Sequence, residues 1–568
     1  MPARRPSQTS VSRSTHRVQT ERQDKPEDEP DRREDIVTTT DAVVIGSGPN
    51  GLVAANLLVD AGWSVVVLEE QETAGGAVRS DSSVAPGYVH DTFSSFYPLA
   101  AGSPTIQGLH LEEHGLEWVQ APSVVGHSFP DGRWGVLHRD RAETAAGLEA
   151  QSPGDGDAWL ALCDTWDRVG DDVIRCLLSP FPPVRGGAGL AARVLRPGGL
   201  ELLREMIMPA RTLTERLFSG EAARMLIAGN AAHADISLES PGSAAMGMLL
   251  VLLGQTVGFP VPRGGAGQLS GAMVRRLESK GGQVVLGERA EAVRVDGGRA
   301  VAVRTASSEI SVERAVLADV SAPALYGGLV PWDDLPTRLR HRMGRFEWDP
   351  STVKVDWALG GPVPWEGAPE KEPGTVHIGD SLDDMTLTGS QVAAGLVPER
   401  PFMLVGQMGV ADPSRVPDGG EALWAYTHVP QQVRGDAAAG RDGVREVAGA
   451  WDEGDLDAMA ERMEQRIESR APGFRDRITA RRVLGPHQLE SMDRNLFGGA
   501  INGGTANLQQ QLVFRPVAGS GRPETPVKGL YLASASAHPG GGVHGACGAN
   551  AARAALWHNK TRNLWRRS

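Results

Sequence analysis

The sequence predicts an α/β chain of more than one domain, and three observations predict it. The first lies in residues 41–69, DAVVIGSGPNGLVAANLLVDAGWSVVVLE. There an apolar run, Ala42–Ile45, gives way to a glycine turn, a helical pattern and a second β-branched run, Val65–Leu68. The second lies near the other end, where Gly529–Ala533 reads as a strand running into a glycine-rich turn, Pro539–Gly542, and a small-residue helix. The third is a change of texture between them: mostly helical from about 110 to 255, strand-rich from Gly282 to Ala318, and mixed from 340 to 490.

In the first unit each glycine has a physical task. Gly46 makes the tight turn, Gly48 lets backbone approach a diphosphate, and Gly51 allows close packing of helix on strand. A phosphate there would rest on free N–H groups at the positive end of the helix. Glu69 ends the second strand 18 residues after Gly51, where an acid accepts hydrogen bonds from a ribose. Strand, glycines, helix, strand and terminal acid together predict a dinucleotide site. Gly75 and Gly76 follow, where backbone can approach the same ligand again, and Arg79 lies three residues on. The C-terminal turn is a second place where helix N-terminal amides can meet it. Two such turns some 490 residues apart imply one cofactor gripped by both ends of the chain.

Composition sets limits. At 568 residues the chain exceeds one ordinary core, and 40% hydrophobic with 22% charged residues is globular. A net charge of −13 argues against nucleic acid, since nothing offsets phosphate repulsion. Cys163, Cys176 and Cys547 form no CxxC and no disulfide framework, so packing roles in a reducing, cytoplasmic setting are expected. Residues 1–38 read as a disordered polar tail. Its first twenty residues lack the apolar core of a secretory signal, although Arg4, Arg5, Arg13 and Arg17 without an acid faintly resemble a transit peptide. Ala244–Leu253 is the apolar part of the one long uncharged stretch and is too short to span a bilayer. A buried helix is expected there, or a wall of an apolar tunnel. Between Arg185 and Arg216, six arginines and three glutamates stand among apolar residues, a mix that suits a solvated helix face or peripheral membrane contact.

Taken together, the motifs VIGSGPNGLVAA (44–55), Glu69, GGA (75–77), PRGGAG (262–267), FGGAINGG (497–504) and HPGGGVHGACG (538–548) resemble those of the phytoene desaturase-related branch of the flavin-containing amine oxidases, a carotenoid and retinoid oxidoreductase family. The resemblance covers nearly everything after residue 38. It implies a Rossmann-like FAD-binding domain from 39–110, 258–330 and 495–560, with an α+β substrate domain from 111–257 and 331–494. It also implies that Gly46, Gly48 and Gly51 meet the pyrophosphate, Glu69 the ribose, the backbone near Ala290 the adenine, and Gly541, Gly542 and Val543 the flavin ring. Ala77 stands where amine oxidases carry the arginine of GGR, and Ala533–Ser536 lacks the Asp common before the last helix. Both departures lean toward the desaturase-like branch.

The implied reaction moves a hydride equivalent from an apolar, isoprenoid- or acyl-like substrate to FAD, with oxygen or a quinone as acceptor. A base for the accompanying proton would be His538, His544 or Asp91, unless these only order their loops. Lys354 shares a strand face with Thr352 and Asp356. Amine oxidases place a lysine at the flavin from a comparable strand, whereas the residues alone read as a surface lysine paired to Asp356. An amine oxidase, a ketolase or a flavin-bearing interaction protein are the alternatives. No metal site is expected, because the histidines lack ligand spacing.

Overall fold

A computed structural model describes residues 38–183 and 199–565. The expected N-terminal tail, but for Thr38, and residues 184–198 of the arginine-rich stretch lie outside the described residues. The described residues all fall within one compact unit, Val37–Ser568.

Two seven-stranded sheets organise it. The first runs Ala290–Asp296, Arg299–Thr305, Glu309–Ala318, Thr39–Ile45, Val65–Leu68, Gln283–Val285, with Leu530–Leu532 also pairing on Glu309–Ala318. Its centre is parallel: Val43 lies beside Val66 and Val316, and Leu317 beside Tyr531. These strands are short and β-branched because both faces are covered, which leaves no polar side to alternate with. Helices Pro49–Asp60 and Ala546–Trp565 cover one face, and Ala54, Leu58, Ala551 and Ala555 are buried with Val44 and Val67.

The second sheet runs Ile478–Leu484, Ser351–Leu359, Glu421–Val429, Met403–Gln407, Pro373–Ile378, Ser123–Ser128, Trp134–Leu137, and is antiparallel but for one neighbouring pair. Ser351–Leu359 is buried along its whole length. One face, with Val353, Val355 and Trp357, packs on helix Glu453–Glu468, where the Trp357 indole donates to Glu464 at 3.0 Å. The opposite face carries Thr352 and Lys354. Lys354 is therefore a buried residue, not a surface one, although its pairing with Asp356 stands as read.

The stretch read as mostly helical does hold helices at Arg141–Gln151, Asp155–Leu178, Glu221–Ala232 and Ser243–Thr256. It also holds the hairpin Ser123–Ser128/Trp134–Leu137, whose apolar residues look no different from a helix fragment until they pair with Pro373–Ile378. Ser243–Thr256 is the expected buried helix, and no helix among the described residues is long and apolar enough to cross a membrane. Burial pushes the Cys163 thiol up to about 11 and Cys547 to about 12, in keeping with packing roles.

Candidate dinucleotide and substrate cavity

The first glycine turn is closed by its neighbours. Gly46 has φ +94°, and a Cβ on it would lie 2.7 Å from the Asp319 carbonyl oxygen. One on Gly51 would lie 2.2 Å from the Gly46 carbonyl oxygen, so helix and strand meet backbone to backbone. Helix Pro49–Asp60 starts with proline at its first position, where no N–H is missed. Glu69 is held from three sides: Ser47 donates from its amide (2.9 Å) and hydroxyl (2.7 Å), and Gln71 from its amide (3.0 Å). Gly76 brings a second loop so near that a Cβ would stand 3.0 Å from Gly48 Cα.

Asp319, which sequence reasoning missed, sits beneath this turn. Its carboxyl accepts the Gly51 N–H at 2.7 Å, and a Cβ on Gly48 would lie 2.7 Å from Oδ2. Burial, reinforced by the negative charges of Asp493 and Glu69, pushes it up to about 8 despite that hydrogen bond. Asp493 is likewise pushed up by burial, to about 6. The sequence signal was an acid directly after the buried strand Glu309–Ala318, but only parallel pairing with Thr39–Ile45 brings it under Gly46.

At the C-terminal turn, a Cβ on Gly541 would lie 2.5 Å from Asn502 Oδ1. Asn502 is fixed by Asp349, whose carboxylate accepts the N–H groups of Ile501 (2.7 Å), Asn502 (2.9 Å) and Gly504 (3.1 Å). The fully buried Arg515 ties the two loops, donating to the carbonyls of Asn502 (2.8 Å), Thr505 (3.0 Å) and Ala535 (2.7 Å). His544 Nδ1 accepts the Ala546 N–H at 3.0 Å, capping the last helix. His538 Nε2 lies 3.0 Å from the Ser179 carbonyl, which fixes the proton there, and Nδ1 has no partner among the described residues. Burial brings both imidazoles down to about 4, so both are neutral at pH 7.

A cavity of about 910 Å³ joins the two turns. Of the residues singled out from sequence, Gly46, Gly48, Glu69, Gly76, Ala290 and Lys354 line it, as do His538, Gly541, Gly542, Val543 and His544. Gly51, Gly75, Arg79 and Asp91 stand behind the lining. The Gly75 N–H donates to the Ser47 carbonyl, and Arg79 donates to the Met492 carbonyl at 2.9 Å with its guanidinium over Phe93. Asp91 is fully buried against Arg415 (2.9 Å) and accepts from Ser80 (2.8 Å) and the Ala266 amide (2.7 Å). Lys354 donates to the Asp91 carbonyl at 2.9 Å and pairs with Asp356, and burial draws its ammonium below lysine's ordinary value against Asp356's pull. Beyond the turns the cavity is apolar: Met206 and Ile207 from one helix and Met246, Leu249 and Leu250 from Ser243–Thr256 form its wall, facing Trp424 and Tyr426. Among the described residues no group of His, Cys, Asp and Glu is placed to hold a metal ion.

Residues 44–109 match the model of the NAD(P)-binding Rossmann-like domain. The chain is 28% identical to pyridine nucleotide-disulfide oxidoreductase domain-containing protein 2 of Mus musculus, over 90% of this chain and 92% of that protein. It is 23% identical to phytoene desaturase of Fusarium fujikuroi, over 88% of this chain and 86% of that one. Among solved structures, an oxidoreductase from Methanosarcina mazei superposes with a TM-score of 0.59 over 91% of this chain and 99% of its own, at 15% identity, and so shares the fold. The chain is an oxidoreductase related to the phytoene desaturases, with a Rossmann-like nucleotide-binding segment.

Proposed function

We propose that this oxidoreductase holds FAD across the two glycine turns and takes a hydride equivalent from an apolar, isoprenoid- or acyl-like substrate. The observation that carries this reading is a single cavity with glycine turns from both ends of the chain at one side and apolar walls at the other. Both turns fit the group, because a side chain at Gly46, Gly48 or Gly541 would fill the cradle or strike its wall. The positive end of helix Pro49–Asp60, where the Gly51 N–H is taken by Asp319, would face the pyrophosphate, with Glu69 at the ribose, the Ala290 backbone at the adenine, and Gly541, Gly542 and Val543 at the isoalloxazine. FAD, when bound, accepts the hydride equivalent and passes electrons on to oxygen or a quinone.

The chain's own residues orient the substrate and exclude water. Met246, Leu249 and Leu250 line the path, and half-exposed Leu203, Ile207, Leu508 and Leu512 rim it, a mouth suited to receiving an apolar molecule from a membrane surface. His538 is the base we assign to the accompanying proton: the residue lines the cavity, it is neutral at pH 7, and its Nδ1 has no hydrogen-bond partner among the described residues. Asp91 is consumed by Arg415, His544 by its helix cap, and Lys354 by Asp356.

The deciding experiment is anaerobic bleaching of the purified yellow protein by a carotenoid, a long-chain acyl compound and several amines. Bleaching by an isoprenoid or acyl compound is expected, and readmitting oxygen or quinone then identifies the acceptor. Bleaching by an amine alone replaces the reading with an amine oxidase. A flavin that dithionite reduces but no organic substrate does would turn it toward a non-catalytic role.

A further inference from the structure

We propose that Arg289 and Arg494, bridged by Glu70, form a clamp for the adenosine half of the dinucleotide and supply the positive charge that this half of the site otherwise lacks. The proposal rests on the reading of the first glycine turn as a dinucleotide site, and it adds two binding residues to that site.

The two arginines arrive from the two sides of one strand. Gln283–Val285 pairs on one edge of Val65–Leu68, and the Glu69 N–H donates to the Val285 carbonyl at 2.9 Å. The Glu288 N–H then donates to the Glu69 carbonyl at 2.8 Å, which sets Arg289 beside the ribose acid. Across the other edge of Val65–Leu68 lie Thr39–Ile45 and then Glu309–Ala318, which ends at Asp319. Asn495 is tied there. Its Nδ2 donates to the Asp319 carbonyl at 3.2 Å, and its Oδ1 accepts the Ser321 N–H at 2.8 Å. Arg494, one residue before, is thereby held near the first glycine turn.

Glu70 closes the bridge. Its Oε2 lies 3.3 Å from Arg494 Nε and 3.6 Å from Arg289 Nε. All three residues line the cavity, together with Glu69 and Ala290. The arginine side chains are 62% and 56% exposed, so packing locks neither in place. An ion pair this exposed is weak enough to open for a ligand.

Charge gives the site its need for them. A dinucleotide brings an anionic diphosphate, yet Glu69, Glu70, Glu291, Asp319 and Asp493 line this end of the cavity. The Gly51 N–H at the helix terminus is already taken by Asp319. Among the described residues, the lysines and arginines lining the cavity are Arg289, Lys354, Arg494 and Arg515. Lys354 is paired with Asp356, and Arg515 directs its donors to backbone carbonyls at the second turn. That leaves Arg289 and Arg494, which share one carboxylate between them. A guanidinium suits both parts of the ligand, because it bonds phosphate oxygens and lies flat against an aromatic base.

The test is the rate at which purified flavin-loaded protein releases FAD on dilution, followed by flavin fluorescence at low and high sodium chloride. Salt screens the clamp, so release should quicken as salt is added. Arg289→Gln and Arg494→Gln should each release FAD about tenfold faster at low salt, the factor of one charge-assisted contact, and respond less to salt. Both side chains are exposed, so neither variant disturbs the core. Arg133→Gln removes an exposed arginine that does not line the cavity, and should match the unaltered protein. Release unchanged in either clamp variant, quickened equally by Arg133→Gln, or indifferent to salt in the unaltered protein overturns the clamp. For a chain that purifies without flavin, calorimetric titration with ADP asks the same question. Weaker ADP binding in both clamp variants upholds the proposal, and equal binding or none overturns it. Bleaching keeps the two claims apart. Faster release in the variants, with no substrate bleaching the flavin, upholds the clamp and sinks the proposed reaction. Bleaching by an isoprenoid or acyl compound, with release unchanged in the variants, does the reverse.

Discussion

Asp319 shows how one residue couples the nucleotide turn to pH. It stands in a buried group with the negative charges of Asp493 and Glu69 near it and the Gly51 N–H as its donor. Its carboxyl is neutral until about pH 8. A bound diphosphate favours that neutral form further, so affinity for the cofactor should be full below pH 8 and fall, up to about tenfold per pH unit, as the proton leaves. Flavin retention on dilution between pH 7 and 9 measures this. Asp319→Asn, which keeps an acceptor for Gly51, is expected to flatten the profile. His538 makes a second case. His538→Asn should keep flavin content and slow anaerobic flavin reduction by about 10²–10⁴-fold, the range of a lost general base, while an equal rate would return His538 to ordering its loop. Sequence alone reached His538 because it flanks a glycine turn. It could not reach Asp319 or the burial of Lys354, since the first depends on pairing with Thr39–Ile45, some 270 residues away, and the second on the segment of Asp91 and on Trp424 covering its face of the sheet.

The elements that matter most are the two helices behind the glycine turns. Pro49–Asp60 and Ala546–Trp565 meet so tightly that a Cβ on Gly548 would stand 1.8 Å from the Asn50 carbonyl oxygen. A methyl group there must push the helices apart, and both cofactor turns with them. Gly548→Ala should therefore cost about 1–3 kcal/mol of stability and lower flavin content in the same samples. Gly147, inside helix Arg141–Gln151 with nothing within 4 Å, supplies the contrast. Gly147→Ala should gain up to about 1 kcal/mol from helix propensity and leave flavin unchanged. Thermal melts with flavin absorbance on one preparation read both quantities. The glycine turns, with Gly548 in the second of them, were legible because turn, spacing and helix lie within a few residues of one another. The hairpin Ser123–Ser128/Trp134–Leu137 was not, because what makes it a strand pair in this sheet is Pro373–Ile378, far along the chain.

Across the whole molecule, buried ionisable groups of opposite kinds set the pH range of stability. His127 and His233 are brought down by burial to about 3, His538 and His544 to about 4, and His377, within 3.0 Å of His233, lies well below its ordinary value. Their folded values lie below the unfolded one, so the stability they contribute is present above about pH 6.5 and lost as pH falls below it. Asp493, Glu421 and Asp319 are pushed the other way by burial, to about 6, 7 and 8. Their folded values lie above the unfolded ones, so their contribution is present below about pH 4 and lost as pH rises through 6 to 8. Between about pH 4.5 and 6 the two sets oppose each other. Of these two sets, only the carboxyls still act above 6.5 and only the histidines below 4, where Asp81 joins them, held far below its ordinary value by Ser83 and Arg482 against its burial. The midpoint of thermal unfolding should therefore be highest on the acid side of neutrality and fall toward both pH 8 and pH 3.5. Glu421→Gln, whose amide oxygen can still accept from the Gly409 amide, should weaken the alkaline decline alone. A midpoint that climbs steadily to pH 8 would mean that these carboxyls are not buried in neutral form, and would remove the basis for the pH dependence expected of Asp319.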